Sequence, residues 1–390
     1  MRKPSQGDVT LGADSIPLEQ QKKILIMADY FFPAYKGGGI IQSLKNLYDL
    51  CGGEAKFQVI TSDKDLDGSD VSEAGELLND VQYTSRFRII AALRRIQWSE
   101  IESVYFNGIF SPFFFLIPLV YVRLFQRNIR VIIAPRGMLQ SGALEIRSTK
   151  KMTYLKLLQK LRLFNQVRWH ATDEQEAVDI DQLQKHADII VAQNVPKQPW
   201  QETTEIQIGN PNPLRLVFLS LITEKKNLHL VLEALKIIEF PVVFDIYGPI
   251  KDSQYWNHCL QLISELPLTV KCEYHGAVKS ELSQEIFSQY HALVLPSKGE
   301  NFGHAIYECL SVGRPVIIGK NTPWKDIEQD EAGWLVDLVN IDVAKAIIKL
   351  VKLNQNEFDS FSINARSTAQ NYFDQSDFES DYKELFNSKF

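Results

Sequence analysis

The chain has 390 residues, of which 45% are hydrophobic and 23% are charged, and its formal net charge is −6. This length favours two domains of about 150–200 residues, each large enough to bury a core of its own. The acidic balance argues against a dedicated nucleic-acid-binding protein, which carries a basic excess. The four cysteines form no C-x-x-C pair, which argues against zinc-ribbon and thioredoxin-like sites and favours reduced cysteines in a cytoplasmic protein.

Two segments bear on targeting. Residues 1–21 are polar, carry Pro, Gly and Ser, and lack the apolar stretch of a secretory signal, so we predict a disordered tail. The most apolar segment, 106–125, is interrupted by Ser111, Pro112 and Pro118. An uninterrupted run of about 20 apolar residues is missing there, which favours a buried helix over a membrane span.

Short apolar runs alternate with helical patterns along the first half of the chain. A helix with apolar residues at helical spacing is predicted over 37–50. Strands are predicted at 23–31, 56–62, 103–108, 130–137, 168–173 and 188–194. This alternation predicts parallel strands covered by helices on both faces, in a domain spanning residues 22–205.

A polar, turn-rich linker is predicted at 201–214, and the alternation then restarts. The second series has a helix at 227–238 and strands at 215–220, 242–248, 270–276, 291–297 and 314–319. We therefore predict an α/β protein with a second domain over residues 206–370. A helical end, 371–390, is expected to pack back on the first domain. Ligands of such sheets bind beyond the carboxyl ends of the strands, so two facing domains would form a cleft.

The stretch "LVLPSKGENFGHAIYECL", residues 293–310, joins one predicted strand to a helix. Ser297 or Asn301 is a candidate cap for that helix. The unpartnered N–H groups and positive dipole at a helix start favour a phosphate or diphosphate, and Gly303 allows close approach to the backbone. We therefore expect a diphosphate at Asn301, Phe302 and Gly303.

Two glutamates flank this helix start. Glu300 would repel a phosphate, so sugar hydroxyls are its better partners, and Glu308 follows eight residues later. On a continuous helix this spacing is about 12 Å along the axis and about 80° around it. A ribose diol is a plausible partner for Glu308, which points to a nucleotide-sugar. The plainer alternative is one capping glutamate and one surface glutamate.

The same stretch resembles the E-x-x-x-x-x-x-x-E motif of glycosyltransferase family 4, and the similarity continues through 311–327 and 331–337. The resemblance extends over most of the chain from about residue 22. It implies the GT-B fold of two facing Rossmann-like domains, and retaining transfer of a sugar from a nucleotide-sugar to a hydroxyl. By analogy the product is a bacterial surface polysaccharide or lipid-linked glycan. Catalytic roles are then expected for Glu300, Lys226 and Glu308.

Further motifs resemble the donor site of that family. Glycines 37–39 follow the first strand and would let the backbone approach the diphosphate, through Gly38 and Gly39 in particular. In the segment 218–235, Lys226 matches the family's phosphate-binding lysine and Lys225 is adjacent, whereas Leu221 stands where the family has arginine. Gly248, Gly276 and Val278 are expected to hold the nucleotide base and ribose. The alternatives are ordinary turn glycines and a solvated lysine.

On the acceptor side, Arg136 stands where many relatives have histidine, and it would bind an anionic group unless a neighbouring carboxylate occupies it. His170, at a predicted strand end, is either an acceptor contact in the cleft or a structural histidine. The basic segment 147–168 carries an apolar stripe at positions 152, 155, 158 and 161. It predicts either peripheral contact with an anionic inner membrane or a core helix with a solvated face.

No cofactor is expected beyond the nucleotide-sugar co-substrate, and no metal ion. The D-x-D spacing within 63–70 follows a strand and is interpreted as a solvated loop, since no further ligands converge on it in the sequence. Two rival functions stay open: a nucleotide-sugar epimerase on the same fold, and a non-catalytic nucleotide-sugar-binding protein. Leu221 and Arg136 are the departures that favour the second rival.

Overall fold

The computed structural model of the protein describes residues 23–51, 56–72, 78–139, 148–202, 204–209 and 212–387. The tail predicted for residues 1–21 lies outside the described residues. The chain forms two parallel β-sheets, one of seven strands and one of six, each covered by helices.

The first sheet has the strand order β3-β2-β1-β4-β5-β6-β7, and every pairing is parallel. Its strands are β1 (Lys23–Ala28), β2 (Lys56–Ser62), β3 (Val81–Thr84), β4 (Ile101–Asn107), β5 (Arg130–Ala134), β6 (Val167–Ala171) and β7 (Asp188–Val191). The described helices are α1 (Gly39–Cys51), α2 (Ile89–Arg94), α3 (Ile117–Phe125), α4 (Ser148–Lys160) and α5 (Glu174–Leu183). The inner strands are buried on both faces, which is why they appear in the sequence as continuous apolar runs.

The second sheet has the order β10-β9-β8-β11-β12-β13 and is also parallel throughout. Its strands are β8 (Leu214–Leu219), β9 (Val242–Tyr247), β10 (Val270–Tyr274), β11 (Ala292–Leu295), β12 (Val316–Gly319) and β13 (Gly333–Val336). Its helices are α6 (Leu228–Leu235), α7 (Ser253–Ser264), α8 (Ser283–Ser288), α9 (His304–Ser311) and α10 (Asn340–Val351). One large apolar cluster fills this half, and two further clusters lie on the two faces of the first sheet.

Both sheets reverse their strand order beside their first strand, between β1 and β4 and between β8 and β11. A crevice opens at such a switch point, beyond the carboxyl ends of the strands. The loops that follow β1, β8 and β11 therefore meet at the same place, between the two sheets. This topology brings the glycine loop, the lysine pair and the two glutamates into one region.

The chain ends in two helices, α11 (Gln355–Gln375) and α12 (Phe378–Asn387). Helix α12 returns to the first sheet: Phe378, Tyr382 and Leu385 pack in the same cluster as strands β1 and β2. The Tyr382 hydroxyl also donates to the backbone oxygen of Gln193 at 3.1 Å. Helix α12 is therefore held on the first sheet by buried apolar side chains and by a hydrogen bond.

Two strands, β3 and β13, were not predicted as strands from the sequence. Both have four residues and both lie at the edge of their sheet. The apolar segment after β4 forms a π-helical turn, Pro112–Leu116, capped by the Ser111 hydroxyl, and then α3. Within the described residues, no helix is both long and apolar enough to cross a membrane.

Candidate active site

A cleft of about 1500 Å³ lies between the carboxyl ends of the two sheets. Most of the residues expected to bind the donor line it: Gly38, Gly39, Lys225, Lys226, Gly248, Val278, Glu300, Asn301, Phe302, Gly303 and Glu308. Arg136, expected on the acceptor side, lines it as well. His170 and Gly276 do not belong to this lining.

The start of α9 faces this cleft without a side-chain cap. Gly303 occupies the capping position with φ 83°, a left-handed conformation that favours glycine, and a Cβ there would meet Ile306 at 2.8 Å. The prediction that Ser297 or Asn301 caps the helix is wrong. The Ser297 hydroxyl instead bonds to the backbone oxygen of Gly299 at 3.1 Å, and the Asn301 side chain lies 3.1 Å from Thr172 Oγ1.

Glu300 lies in the loop before α9, so the separation from Glu308 that was expected along one continuous helix is wrong. The Lys226 ammonium donates to both oxygens of the Glu300 carboxylate, at 2.6 and 2.7 Å. Both side chains are mostly buried, with exposed fractions of 15% and 10%. The two charges therefore compensate each other at the start of the helix.

Glu308 lies one turn into α9 and is 4% exposed. Its Oε2 accepts a hydrogen bond from the Ser283 hydroxyl at 2.6 Å. Its Oε1 lies 3.3 Å from the ammonium of Lys197, a residue in the segment between the two sheets. The alternative interpretation of Glu308 as a surface glutamate is wrong.

Lys225 is the neighbour of the paired Lys226 and also lines the cleft. In the described part of the chain, its ammonium has neither a hydrogen-bond nor an ion-pair partner. Burial lowers its pKa, the nearby charge of Lys226 lowers it further, and Glu300 opposes this effect. A cation without a partner in a cleft of this kind can receive an anionic ligand.

Leu221 occupies the space beside the glycine loop. A Cβ on Gly38, whose φ is 77°, would meet the Leu221 side chain at 3.3 Å, and one on Gly39 would meet His304 at 3.1 Å. The loop therefore lies against the second sheet's side of the cleft. Leu221, at the position where the resemblance implies arginine, makes an apolar contact with this loop.

Gly248 and Gly276 differ in how closely other backbone atoms approach them. Gly248, with φ 135°, lies so close to strand β8 that a Cβ would be 1.8 Å from the backbone oxygen of Ser220. Gly276 accepts the backbone N–H of Gly248 at 2.7 Å through its carbonyl oxygen, and a Cβ on Gly276 would meet no atom within 4 Å. Gly276 therefore supports Gly248 from behind, and the expectation that it lines the donor site is wrong.

Arg136 lies at the floor of the cleft and is 5% exposed. Its guanidinium donates to Asn107 Oδ1 at 2.8 Å, Asn194 Oδ1 at 2.7 Å and Tyr105 Oη at 2.8 Å. These three partners are neutral, and among the described residues no carboxylate forms an ion pair with Arg136, so that part of the chain does not support the alternative of an occupying carboxylate. Within the same residues, the positive charge at the floor of the cleft is therefore not cancelled by a direct ion pair.

His170 belongs to the same network and is fully buried. Its Nδ1 accepts the Tyr105 hydroxyl at 2.7 Å, and its Nε2 donates to the backbone oxygen of Ala192 at 2.8 Å. Burial lowers its pKa to about 3, and the nearby Arg136 charge contributes. The prediction that His170 contacts an acceptor in the cleft is wrong; this ring is a neutral structural group behind Arg136.

Two contacts across the cleft were not predicted from the sequence. His304 Nε2 lies 2.6 Å from the Ser43 hydroxyl of α1, and Asn301 approaches Thr172 beyond β6. Burial lowers the pKa of His304 to about 3, so the ring is neutral at the start of α9. Lys197 was also missed, because it lies in a linker without any periodic signal.

The acidic loop after β2 is used structurally. Asp65 accepts the backbone N–H groups of Tyr35 and Lys36 at 3.0 and 3.2 Å, and the Asp67 carboxylate pairs with the Lys36 ammonium. Lys64 and Asp70 pair with each other at 2.7 Å. These carboxylates hold the glycine loop in place.

The family comparison concerns the second half of the chain. Residues 201–368 match the family model described as "Glycosyl transferases group 1", which covers somewhat less than half of the chain. Among curated protein sequences, none matches this chain.

Solved structures resemble the whole chain. HepE of Anabaena, in complex with UDP and glucose, matches with a TM-score of 0.70 at 15% identity, covering 94% of this chain and 98% of that one. A glycosyltransferase from Rickettsia africae gives 0.63 at 14% identity, with coverages of 95% and 100%. WaaG, a glycosyltransferase involved in lipopolysaccharide biosynthesis, gives 0.62 at 13% identity, with coverages of 93% and 98%.

These similarities confirm the two-domain α/β architecture predicted from the sequence, which is that of GT-B glycosyltransferases. The family match places the glycosyltransferase domain on the half that carries both glutamates and both lysines. On this fold and this family match, the chain is a glycosyltransferase whose residues 201–368 carry the group 1 domain.

Proposed function

We propose that the protein is a retaining glycosyltransferase that moves a sugar from a UDP-sugar to a hydroxyl of a glycan or lipid-linked acceptor in surface polysaccharide synthesis. One observation carries this proposal: the uncapped start of α9, the Lys225 ammonium without a partner among the described residues, the mostly buried Glu300 carboxylate and the buried Glu308 carboxylate converge on one cleft. Choosing UDP rests on HepE, whose solved complexes contain UDP and UDP-glucose.

The charges of the cleft suit an anionic donor. Although the chain as a whole is acidic, basic residues outnumber acidic ones among the described residues of the lining. The basic ones are Lys45, Arg136, Lys151, Lys225, Lys226, Lys251 and Lys279, and the acidic ones are Glu224, Asp252, Glu281, Glu300 and Glu308. Such a cleft raises the local concentration of an anion and speeds its association.

We assign the diphosphate to the start of α9 and the Lys225 ammonium, since both offer donors without competing acceptors. The Gly38–Gly39 backbone would approach it from the opposite wall. Glu300 would accept hydroxyls of the transferred sugar, and Glu308 those of the ribose. Gly248 and Val278 would pack against the nucleoside, with Phe302 beneath the helix start.

In the transfer step, the bond between the anomeric carbon and the diphosphate oxygen breaks, and the electron pair stays on that oxygen. The acceptor hydroxyl attacks the same face of the sugar, and its proton passes to the departing diphosphate. Negative charge builds on the leaving group, where Lys225 and the dipole of α9 stabilise it. We propose that these groups make a metal ion unnecessary.

The test is a thermal-shift panel of UDP-, GDP- and ADP-sugars, followed by transfer assays with the donor that stabilises the protein most. We expect UDP-sugars to raise the melting temperature and the product to keep the anomeric configuration of the donor, as read from NMR coupling constants. Inverted product would refute the retaining mechanism. Conversion of the donor in the absence of any acceptor would favour the epimerase. Binding of the donor without transfer to any acceptor would favour the non-catalytic nucleotide-sugar-binding protein.

A specific observation favours peripheral contact with a membrane. The stripe predicted on α4 is divided: Leu155 and Leu158 are buried, whereas Met152 and Leu161 are exposed. Leu157, which does not belong to the predicted stripe, is exposed as well. Arg123 at the end of α3 donates to the backbone of Asn165 at 2.5 Å, which brings α3 against the turn after α4. The exposed ends of the two helices carry these apolar and basic residues: Leu124, Phe125, Leu157 and Leu161, with Arg127, Lys156, Lys160 and Arg162.

We propose that this surface rests on anionic lipid, because interleaved apolar and basic side chains suit such an interface. Flotation with vesicles that contain roughly 30% phosphatidylglycerol tests it, with pure phosphatidylcholine vesicles as control. We expect binding to the anionic vesicles alone and its loss in the Leu157→Ser/Leu161→Ser variant. Binding of that variant at the level of the unmodified protein would refute the assignment of this surface.

A further inference from the structure

Lys197 makes three polar contacts with the group 1 domain although it lies in the connection between the two sheets. Its ammonium donates to the backbone oxygen of Ser280, to Ser283 Oγ at 2.8 Å and, at 3.3 Å, to Glu308 Oε1. The side chains of Lys197 and Glu308 are only 13% and 5% exposed. An ammonium has three donors, so this residue has none left for a ligand.

The Glu308 carboxylate, by contrast, retains free acceptor capacity. Its two oxygens offer about four acceptor positions in total. Lys197 uses one on Oε1 and Ser283 uses one on Oε2. Counting partners in the described part of the chain, one further position remains on each oxygen of this carboxylate, which lines the cleft. A vicinal diol has two hydroxyl groups to donate to such a pair.

The backbone around Lys197 is held in place as the chain passes from one domain to the other. Asn46 of α1 donates to the Val195 carbonyl at 2.8 Å, on the side of the first sheet. Two residues later, the Tyr307 hydroxyl of α9 donates to the Lys197 carbonyl at 2.9 Å. The backbone that carries the Lys197 side chain is therefore held by hydrogen bonds to both domains and is not part of a flexible loop.

We propose that Lys197 is a positioning residue that makes the donor site selective for nucleotides with both ribose hydroxyls. It places a positive charge 3.3 Å from the buried Glu308 carboxylate, which offsets the free-energy cost of burying that negative charge. It also fixes the carboxylate plane, so that Oε1 and Oε2 both stay available to the diol. This inference rests on the proposed assignment of the donor site.

The test is isothermal titration calorimetry with UDP and with 2′,3′-dideoxy-UDP. For the unmodified protein we expect UDP to bind about tenfold or more tightly than the dideoxy analogue. Lys197→Met should weaken UDP binding about tenfold while it changes the affinity for the dideoxy analogue less than about twofold, so the selectivity disappears. Lys197→Arg, which keeps the charge, should restore part of the selectivity.

The matched control is Lys236→Met, which removes a lysine paired with Glu265 on the surface of the same domain and should leave both affinities unchanged. A Glu308→Gln background gives a second check: adding Lys197→Met there should have little further effect, because the lysine acts through Glu308. Thermal unfolding confirms that each variant is folded. If Lys197→Met is not folded, Lys197→Gln takes its place in both arms.

The outcomes separate this inference from the proposed function. Equal weakening of UDP and dideoxy-UDP by Lys197→Met would mean a merely structural role and would overturn the inference. An unmodified protein that binds both nucleotides equally well would overturn it too, while leaving UDP as the donor nucleotide. An unmodified protein that binds neither would refute the UDP-sugar proposal on which the inference rests.

Discussion

The Lys226 ammonium holds both oxygens of the Glu300 carboxylate, at 2.6 and 2.7 Å, directly before the helix that faces the cleft. The pair is mostly buried, so the two charges cancel locally. Among the described residues of this loop, the ammonium of the neighbouring Lys225 therefore remains available to an anionic ligand. In the proposed donor site, Lys225 would therefore bind phosphate, and Lys226 would orient the carboxylate that contacts the sugar.

We expect Glu300→Gln to reduce kcat/KM for sugar transfer by about 100-fold or more, because the neutral amide accepts the hydroxyls of the transferred sugar more weakly than the carboxylate and loses the ion pair with Lys226 that orients it. Binding of UDP, which lacks the sugar, should be unchanged or tighter, because Lys226 is released from its partner. Enzyme kinetics and calorimetry measure the two effects. Lys345→Met, which removes an exposed pair with Asp342 on α10, is the control and should change neither. Glu300→Gln activity equal to that of the unmodified protein would contradict the role.

Lys225 makes the affinity for UDP depend on pH. Its pKa is lowered by burial and by the charge of Lys226. The ammonium is charged below this pKa and neutral above it, so UDP binding should weaken as the pH rises, at lower pH than an ordinary lysine would cause. Lys225→Met should bind UDP about tenfold more weakly and lose this pH dependence. Lys225→Arg, which stays charged, should keep the affinity and have a flat profile; a profile unchanged in both variants would contradict the assignment.

Substitutions at the two glycines that follow strands β9 and β10, Gly248 and Gly276, should differ in their effect on stability. Gly248→Ala places a Cβ 1.8 Å from a backbone oxygen, so strand β9 or β8 must move, and we expect a loss of more than about 4 kcal/mol of unfolding free energy. In Gly276→Ala the added Cβ meets no atom within 4 Å, so the destabilisation comes only from the left-handed φ of 80° and is about 1–2 kcal/mol. Denaturant unfolding measures both. Similar losses for the two variants would contradict the close approach at Gly248.

His170 should make the protein less stable as the pH falls. Its pKa is about 3 in the folded chain because it is buried, against an ordinary value of 6.5. Between pH 6.5 and about pH 3, His170 binds a proton in the unfolded chain but not in the folded chain. The contribution of the neutral, buried His170 to the free energy of unfolding is therefore fully present above pH 6.5 and is lost progressively as the pH falls below 6.5. The slope is about 1.4 kcal/mol per pH unit.

Urea unfolding at pH 7, 6 and 5 checks this expectation. Below pH 6.5 the stability of the unmodified protein should decrease more steeply than that of His170→Gln. His258→Gln, which changes an exposed histidine of α7, should leave the slope unchanged. Identical slopes for all three proteins would show that His170 is not buried as a neutral group.

Strands buried on both faces, such as β1 and β4, were predicted correctly because such strands must be continuously apolar. The partly buried edge strands β7 and β10 were predicted as well. Strand β3 was missed because its four residues, VQYT, are few and include the polar Gln82 and Thr84, so it has no apolar run. The meeting of Glu300, Lys226 and Gly38 was predictable for a topological reason. Each follows a strand at a switch point, and such loops share one crevice.

The side-chain partners were not predictable, because they depend on contacts between segments far apart in the chain. Nothing in the sequence near His170 indicates that Tyr105 and Ala192 enclose it. The connection of Lys197 to Glu308 likewise joins positions 111 residues apart. The start of α9 was misplaced because a left-handed glycine, and not a polar cap, begins this helix.

Two contacts that join the walls of the cleft should favour the closed arrangement of the two domains over an open one. Ser43 lies 2.6 Å from His304, and Thr172 lies 3.1 Å from Asn301, so each joins the first sheet's side to the loop or helix at the diphosphate position. The Ser43–His304 hydrogen bond contributes about 1 kcal/mol, and the Thr172–Asn301 contact contributes less because the Thr172 hydroxyl also donates to Glu176 Oε2 at 2.6 Å. The Ser43→Ala/Thr172→Val variant should therefore lose about 1–2 kcal/mol of the free energy that favours the closed cleft.

For this cleft variant we expect a larger radius of gyration by small-angle X-ray scattering in the absence of ligand. We also expect a raised KM for the donor, because closing the cleft then costs binding free energy. The matched control, Thr153→Val/Ser360→Ala, removes two hydrogen bonds that lie within single exposed helices and should leave both quantities unchanged. Scattering curves that coincide for the cleft variant and the control would show that these contacts do not hold the two walls together.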